Sequence, residues 1–167
     1  MYSKLKTILA KAVLACVLIF FSQKAYNQSV EYIRAGDLEK IINSGEDKLF
    51  VINFWATWCG PCVKEFPLFV KVSEDYSKQK VKFIMVSLDF PSQADKQLIP
   101  FLKKNRSSLH VALMTDMDYN SWIDKVDRSW QGDLPATLIF NNPRNRRVFH
   151  NGELDERGLR KMIDSNL

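Results

Sequence analysis

Leu49-Phe50-Val51-Ile52-Asn53-Phe54-Trp55-Ala56-Thr57-Trp58-Cys59-Gly60-Pro61-Cys62 is the stretch on which the reading of this chain turns. Its first seven residues are rich in Val, Ile and Phe and carry no charge, which fits a strand buried on both faces. From residue 59 to about residue 78, Cys62, Phe66, Phe69, Val70 and Val72 recur at helical spacing, with Pro67 placed to kink the helix. The two cysteines therefore fall where a buried strand hands over to a helix. On a first helical turn, unpaired backbone N–H groups and the helix dipole favour a thiolate, and a second thiol lies close enough to attack a mixed disulfide. That is the chemistry of thiol-disulfide exchange.

Two plainer uses of a Cys-x-x-Cys pair fit this chain less well. Structural zinc needs four ligands, yet the third cysteine, Cys16, lies in an apolar leader and the two histidines, His110 and His150, are isolated, so no metal and no cofactor is expected. A purely structural disulfide spanning two residues would close a loop so short that it removes little unfolded-state entropy.

Outward from this centre, helices and strands alternate. Helical patterns cover residues 37–43, 95–104, 121–130 and 155–163, and strand-like runs cover 81–88, 110–114, 136–140 and, as a hairpin partner, 147–150. Such alternation argues an α/β layer fold whose mostly parallel sheet is closed by a late hairpin. At 167 residues with 46% hydrophobic content, the chain suits one well-buried core.

The first 25 residues hold Lys4, Lys6, Lys11 and Lys24, no acidic residue, and the apolar run 12–21, the layout of a signal peptide or N-terminal membrane anchor. Residues 1–25 are accordingly expected to be a leader and 26–167 the domain, working in the periplasm or on the outer face of the cytoplasmic membrane. Cys16 follows Val13-Leu14-Ala15, a lipobox-like run, but Val17 to Phe21 continue apolar, so an ordinary leader cysteine is the favoured reading. Without the four lysines the charge balance falls from 24 basic against 19 acidic residues to 20 against 19. A near-neutral domain offers no electrostatic footprint for nucleic acid.

The run Trp55-Ala56-Thr57-Trp58-Cys59-Gly60-Pro61-Cys62, extended through Val63-Lys64-Glu65-Phe66-Pro67, resembles the TlpA/ResA-like family of extracytoplasmic thiol-disulfide oxidoreductases in the thioredoxin superfamily. The resemblance covers roughly residues 30–165. It implies a thioredoxin-like fold with a mixed central sheet flanked by helices, and an inserted helix-strand element between Asp89 and Asp116 that plain thioredoxins lack.

The same resemblance assigns roles. Cys59 is the nucleophile and Cys62 the resolving thiol. Pro135, in Leu134-Pro135-Ala136-Thr137, matches a cis proline that packs against the cysteines, and the backbone of Leu134 would pair with an extended substrate. Trp58, Gly60 and Pro61 would border the substrate groove. Glu65 matches a glutamate proposed to take the proton of Cys62; a solvated first-turn glutamate is the competing reading, and the sequence leaves both open. Asn53 stands six residues before Cys59, where thioredoxins carry a buried aspartate, and reads as a satisfied buried amide without catalytic duty. Partners implied are protein substrates with disulfides and a membrane-linked thiol electron donor, with the protein a monomer. Disulfide reduction, in cytochrome c maturation among other settings, is the leading function. A net disulfide-forming oxidant and a non-catalytic binding module are the alternatives.

Overall fold

The computed structural model describes residues 29–105 and 107–167. The leader, Cys16 and the first residues of the expected domain lie outside the described residues.

Six strands form one sheet in the order β1-β4-β3-β2-β5-β6. They are β1 (Val30–Ile33), β2 (Leu49–Trp55), β3 (Val81–Ser87), β4 (His110–Met114), β5 (Ala136–Asn141) and β6 (Arg146–Asn151). β1, β4, β3 and β2 run parallel, and β5 and β6 close the sheet antiparallel. The helices are α1 (Ala35–Ile42), α2 (Gly60–Asp75), α3 (Ile99–Lys104), α4 (Ile123–Val126) and α5 (Glu156–Asp164). This is a thioredoxin-like architecture with β4, supplied by the expected helix-strand insertion, lying between β1 and β3.

Every residue of β2 is buried because alternate side chains feed two separate cores. Leu49, Val51 and Trp55 pack on one face with Phe66, Phe69 and Val72 of α2 and Leu159 and Ile163 of α5. Phe50, Ile52 and Phe54 point to the other, with Leu38 and Ile42 of α1, Trp122, Trp130 and Phe140. Trp55, Phe66 and Phe101 form an aromatic cluster with centroids 4.7–5.3 Å apart. Asn53 is the polar break in this strand, and it faces Thr137 across the β2–β5 ladder. Among the described residues, no helix is long and apolar enough to cross a membrane.

Three local features depart from the sequence reading. β1, a four-residue strand with two exposed positions, was too short for periodicity to reveal; it exists because it pairs with β4. Residues 121–130 do not form one helix. Only a turn at Tyr119–Ser121 and the four-residue α4 are helical, and Asp127 Oδ1 then accepts the Ser129 backbone N–H, closing a turn where the helix would have continued. Trp122 and Trp130 are buried from this loop all the same, their indole N–H groups donating to the Asp116 and Asp133 carbonyls. Finally, residues 95–104 split into a wide turn, Ala94–Leu98, and α3. Pro100 has no N–H to offer the fourth carbonyl back, and the Ile99 N–H donates instead to Ala94, five residues earlier.

Candidate redox site

Strand β2 ends at Trp55, and the chain turns through Ala56-Thr57-Trp58 into α2. Cys59 has an extended backbone and caps the helix: the Cys62 backbone N–H donates to Cys59 Sγ at 3.3 Å. A sulfur there replaces the oxygen of an ordinary N-cap side chain and lies on the positive end of a 16-residue helix. Both effects stabilise the thiolate over the thiol once the pair is reduced. In this structure the pair is joined, with Cys59 Sγ and Cys62 Sγ 2.06 Å apart. Cys59 retains 7% of its surface and Cys62 only 1%, so Cys59 is the more exposed of the two.

The rim is built from the residues around Cys59. Trp58 is 57% exposed, and Gly60 and Pro61 are exposed beside it. The Leu134–Pro135 peptide bond is cis. Ala136 pairs with Phe54 in the antiparallel ladder, so Pro135 stands one step on, at the end of β2 that leads into the cysteines. Pro135 is buried and Leu134 half-buried, and the Pro135 carbonyl accepts the Gly152 N–H at 2.8 Å. Gly152 has φ +107°, a backbone conformation that favours glycine.

One helical turn past Cys62 lies a buried polar cluster. Glu65, one turn after Cys62, is only 4% exposed. Its Oε1 accepts from Asn53 Nδ2 at 3.0 Å, and its Oε2 accepts the Leu154 backbone N–H at 3.0 Å. Burial pushes its carboxyl above the usual range, and the two donors pull only partly the other way. Of the two readings the sequence left open, the structure therefore gives a desolvated glutamate. Asn53 is correspondingly more than a satisfied amide. Its Nδ2 donates to both Glu65 and Thr137 Oγ1, while its Oδ1 is buried with no partner among the described residues.

A second buried carboxylate, Asp89, is not among the site residues expected from the sequence. It accepts the Thr57 N–H at 3.1 Å and the hydroxyls of Thr57 and Ser87, tying the loop before Cys59 to the end of β3. The available signal was an acidic residue placed directly after the buried run of β3. Among the described residues, no group of three or more His, Cys, Asp or Glu side chains is arranged to hold a metal.

A buried strand, a helix-capping cysteine, a second cysteine one turn on linked to it, and a buried carboxyl with raised proton affinity one turn further make a site suited to two-electron exchange of sulfur bonds. Fold and cysteine pair place the chain in the thioredoxin superfamily, among relatives that include thiol-disulfide oxidoreductases. A family model described as the AhpC/TSA family matches residues 20–145, and the chain belongs to that family. The chain is 42% identical over 69 residues to a thioredoxin of Malassezia sympodialis, a match covering 41% of this chain and 65% of that protein. It is 24% identical over 142 residues to the thiol-disulfide oxidoreductase ResA of Halalkalibacterium halodurans, covering 85% of this chain and 74% of the relative. This relative supports the TlpA/ResA-like branch. Among solved structures, a thioredoxin-related protein from Neisseria meningitidis serogroup B superposes with a TM-score of 0.63 at 26% identity, over 74% of this chain and 88% of that one. The chain thus spans just under two thirds of the thioredoxin it matches and about three quarters of ResA.

Proposed function

We propose that the protein reduces disulfides of other proteins outside the cytoplasm, with the Cys59 thiolate as nucleophile and Cys62 as resolving thiol. The observation that carries this reading is the Cys62 N–H directed at Cys59 Sγ, on the more exposed of the two linked cysteines. In the dithiol form, the Cys59 thiolate attacks one sulfur of the substrate disulfide, that bond breaks, and the departing substrate thiolate takes a proton from solvent. Cys62 then gives its proton to the Glu65 carboxylate and attacks Cys59 Sγ, releasing the second substrate thiolate. Two electrons have passed to the substrate, and the protein is left as the linked pair seen here. A membrane-linked dithiol donor restores the reduced form by the reverse exchange.

In this reading, Trp58, Gly60 and Pro61 border the extended substrate, the Leu134 backbone pairs with it, and Pro135 backs the sulfurs. The basic, apolar leader supports a periplasmic or outer-face location for a monomeric protein. The TlpA/ResA-like resemblance supports apocytochrome c cysteines, kept reduced before haem attachment, as one substrate.

Reduction of insulin by the soluble domain tests the proposal. Cys59→Ser abolishes it, and persistence of activity would reject the assignment. Cys62→Ala accumulates mixed disulfides with substrate. A reduction potential near the roughly −270 mV of thioredoxin fits a reductant, whereas one near the roughly −120 mV of a strong oxidant would reverse the direction of electron flow.

A further inference from the structure

Asp89 is a fully buried acid that takes no part in the exchange of sulfur bonds. Burying a carboxylate is costly unless hydrogen bonds compensate, so its donors show what it serves. The Thr57 backbone N–H lies 3.2 and 3.1 Å from its two oxygens, and the Thr57 hydroxyl donates to Oδ1 at 2.5 Å. The Ser87 hydroxyl donates to Oδ2 at 2.7 Å and accepts the Asp89 backbone N–H at 3.1 Å. All of these donors are neutral. Gln97 Oε1 stands 3.4 Å from the Thr57 hydroxyl. Tyr119 is the titratable neighbour, and burial together with the adjacent Asp89 pushes its phenol up.

Sheet register explains why Thr57 needs this acceptor. β2 and β3 run parallel with Trp55 opposite Ser87, and the Leu88 N–H donates to the Trp55 carbonyl at 2.8 Å. Thr57 and Asp89 stand two residues further along, in the same register but past the last ladder pair. In a longer strand the Thr57 N–H would donate to the Leu88 carbonyl; here it goes to the Asp89 side chain instead. The chain is thereby free to leave the sheet and turn toward α2, and the Cys59 N–H closes that turn on the Ala56 carbonyl at 3.2 Å. Side-chain packing does little to hold it. Ala56 is buried but small, and Trp58 is mostly exposed.

Thr57 lies two residues before Cys59, and the path of the chain between them decides whether Cys59 Sγ meets the Cys62 N–H, 3.3 Å away, at the positive end of α2. We propose that Asp89 is a positioning residue for Cys59: by clamping Thr57 it holds the turn in which Cys59 Sγ caps the helix, and so keeps the Cys59 thiol acidic. Without the clamp the turn can swing, the sulfur spends less time on its donor, and the thiolate loses part of its stabilisation. The inference rests on the reading of Cys59 as the attacking thiolate and adds what holds it in place.

The test measures the rate at which iodoacetamide alkylates the reduced full-length protein across pH, read by mass on the peptide that holds Cys59. In Asp89→Ala the midpoint for Cys59 should rise by about 1 pH unit, the scale of a lost helix-terminus interaction, and insulin reduction below that midpoint should fall about 10-fold. Asp89→Asn keeps an acceptor for the Thr57 N–H and should not raise the midpoint. Thr57→Ala removes only the hydroxyl donor and should raise it less, which keeps the test open if Asp89→Ala does not fold. Ile42→Ala, a core truncation on the opposite face of the sheet, should lower the melting temperature and leave the midpoint where it is. A folded Asp89→Ala with the parental midpoint overturns the positioning role and leaves Cys59 as nucleophile. An equal rise in Asp89→Asn or in Ile42→Ala also overturns it, by tracing the effect to charge or to general loosening. Insulin reduction that survives Cys59→Ser overturns the nucleophile reading, and the role of Asp89 with it.

Discussion

Asp47 and Glu65 are carboxylates at opposite ends of β2, and their surroundings give them opposite characters. Asp47 is open to solvent just before the strand. Its two oxygens accept from Arg144 at 2.7 and 3.2 Å, from Asn141 at 3.2 Å and from Lys80 at 3.3 Å. These donors, Arg144 foremost, hold its carboxyl far below the usual range. Glu65 lies one turn past Cys62 with only neutral donors, and burial raises its proton affinity. Asp47 is a fastener that joins the β5–β6 turn to the start of β2 and stays charged. Glu65 is held where burial favours the protonated form. The difference is one of environment, since the ionising group is the same.

The comparison breaks most visibly at Glu65. Glu65→Gln keeps an acceptor for the Leu154 N–H and removes the titrating group, and we expect turnover to fall about 100-fold and its rise with pH to flatten. Stopped-flow resolution of the mixed disulfide across pH measures both. Stability should respond in the other direction. A carboxyl whose folded proton affinity is raised contributes stability that is complete below its unfolded pKa and declines as pH rises through the folded value. Gln does not titrate, so the melting temperature of Glu65→Gln relative to the parent should rise as the pH is raised above about 4.

Asn53→Leu has a smaller expected effect. It deletes the donor to Glu65 Oε1 and with it one stabilising contact to the ionised form, so the pH–rate profile should move to higher pH while the order of sulfur attack is kept. An unmoved profile would reduce Asn53 to a packing residue.

At the other end of the strand, Asp47→Asn should leave the pH–rate profile unchanged and lower the melting temperature modestly. The sign is opposite to that of Glu65. A depressed carboxyl contributes stability above its unfolded pKa and loses it as pH falls, so the gap between Asp47→Asn and the parent should close on acidification below about pH 4. Lys64→Ala marks the lower limit. Its bond to Glu153, at 2.6 Å, joins side chains that are 77% and 39% exposed, and thermal melts should not distinguish the variant from the parent.

How much of this was legible beforehand follows the range of each interaction. Cys59, Cys62, the strand before them and the helix after them were readable because their signals lie within a few residues of one another. β1 was not, because a short strand with two exposed positions exists through its partner β4. The loop that carries Trp122 and Trp130 passed for a helix because the spacing of its large apolar residues imitates helical periodicity, while Asp127 closes the turn that ends it. Asn53 was visible as the odd amide in an apolar strand, but its partner was not, since Glu65 lies twelve residues away on another element.

From the order of residues alone came the reactive pair, its place at a helix start, and the alternation that makes an α/β sheet, because periodicity, capping and spacing act locally along the chain. Folding in three dimensions decided which carboxyl is dry and which is wet, and what holds the loop before Cys59. Desolvation depends on the atoms that distant segments bring alongside. Leu154, 89 residues from Glu65 in sequence, and Asp89, 32 residues from Thr57, reach those side chains only once the sheet has formed.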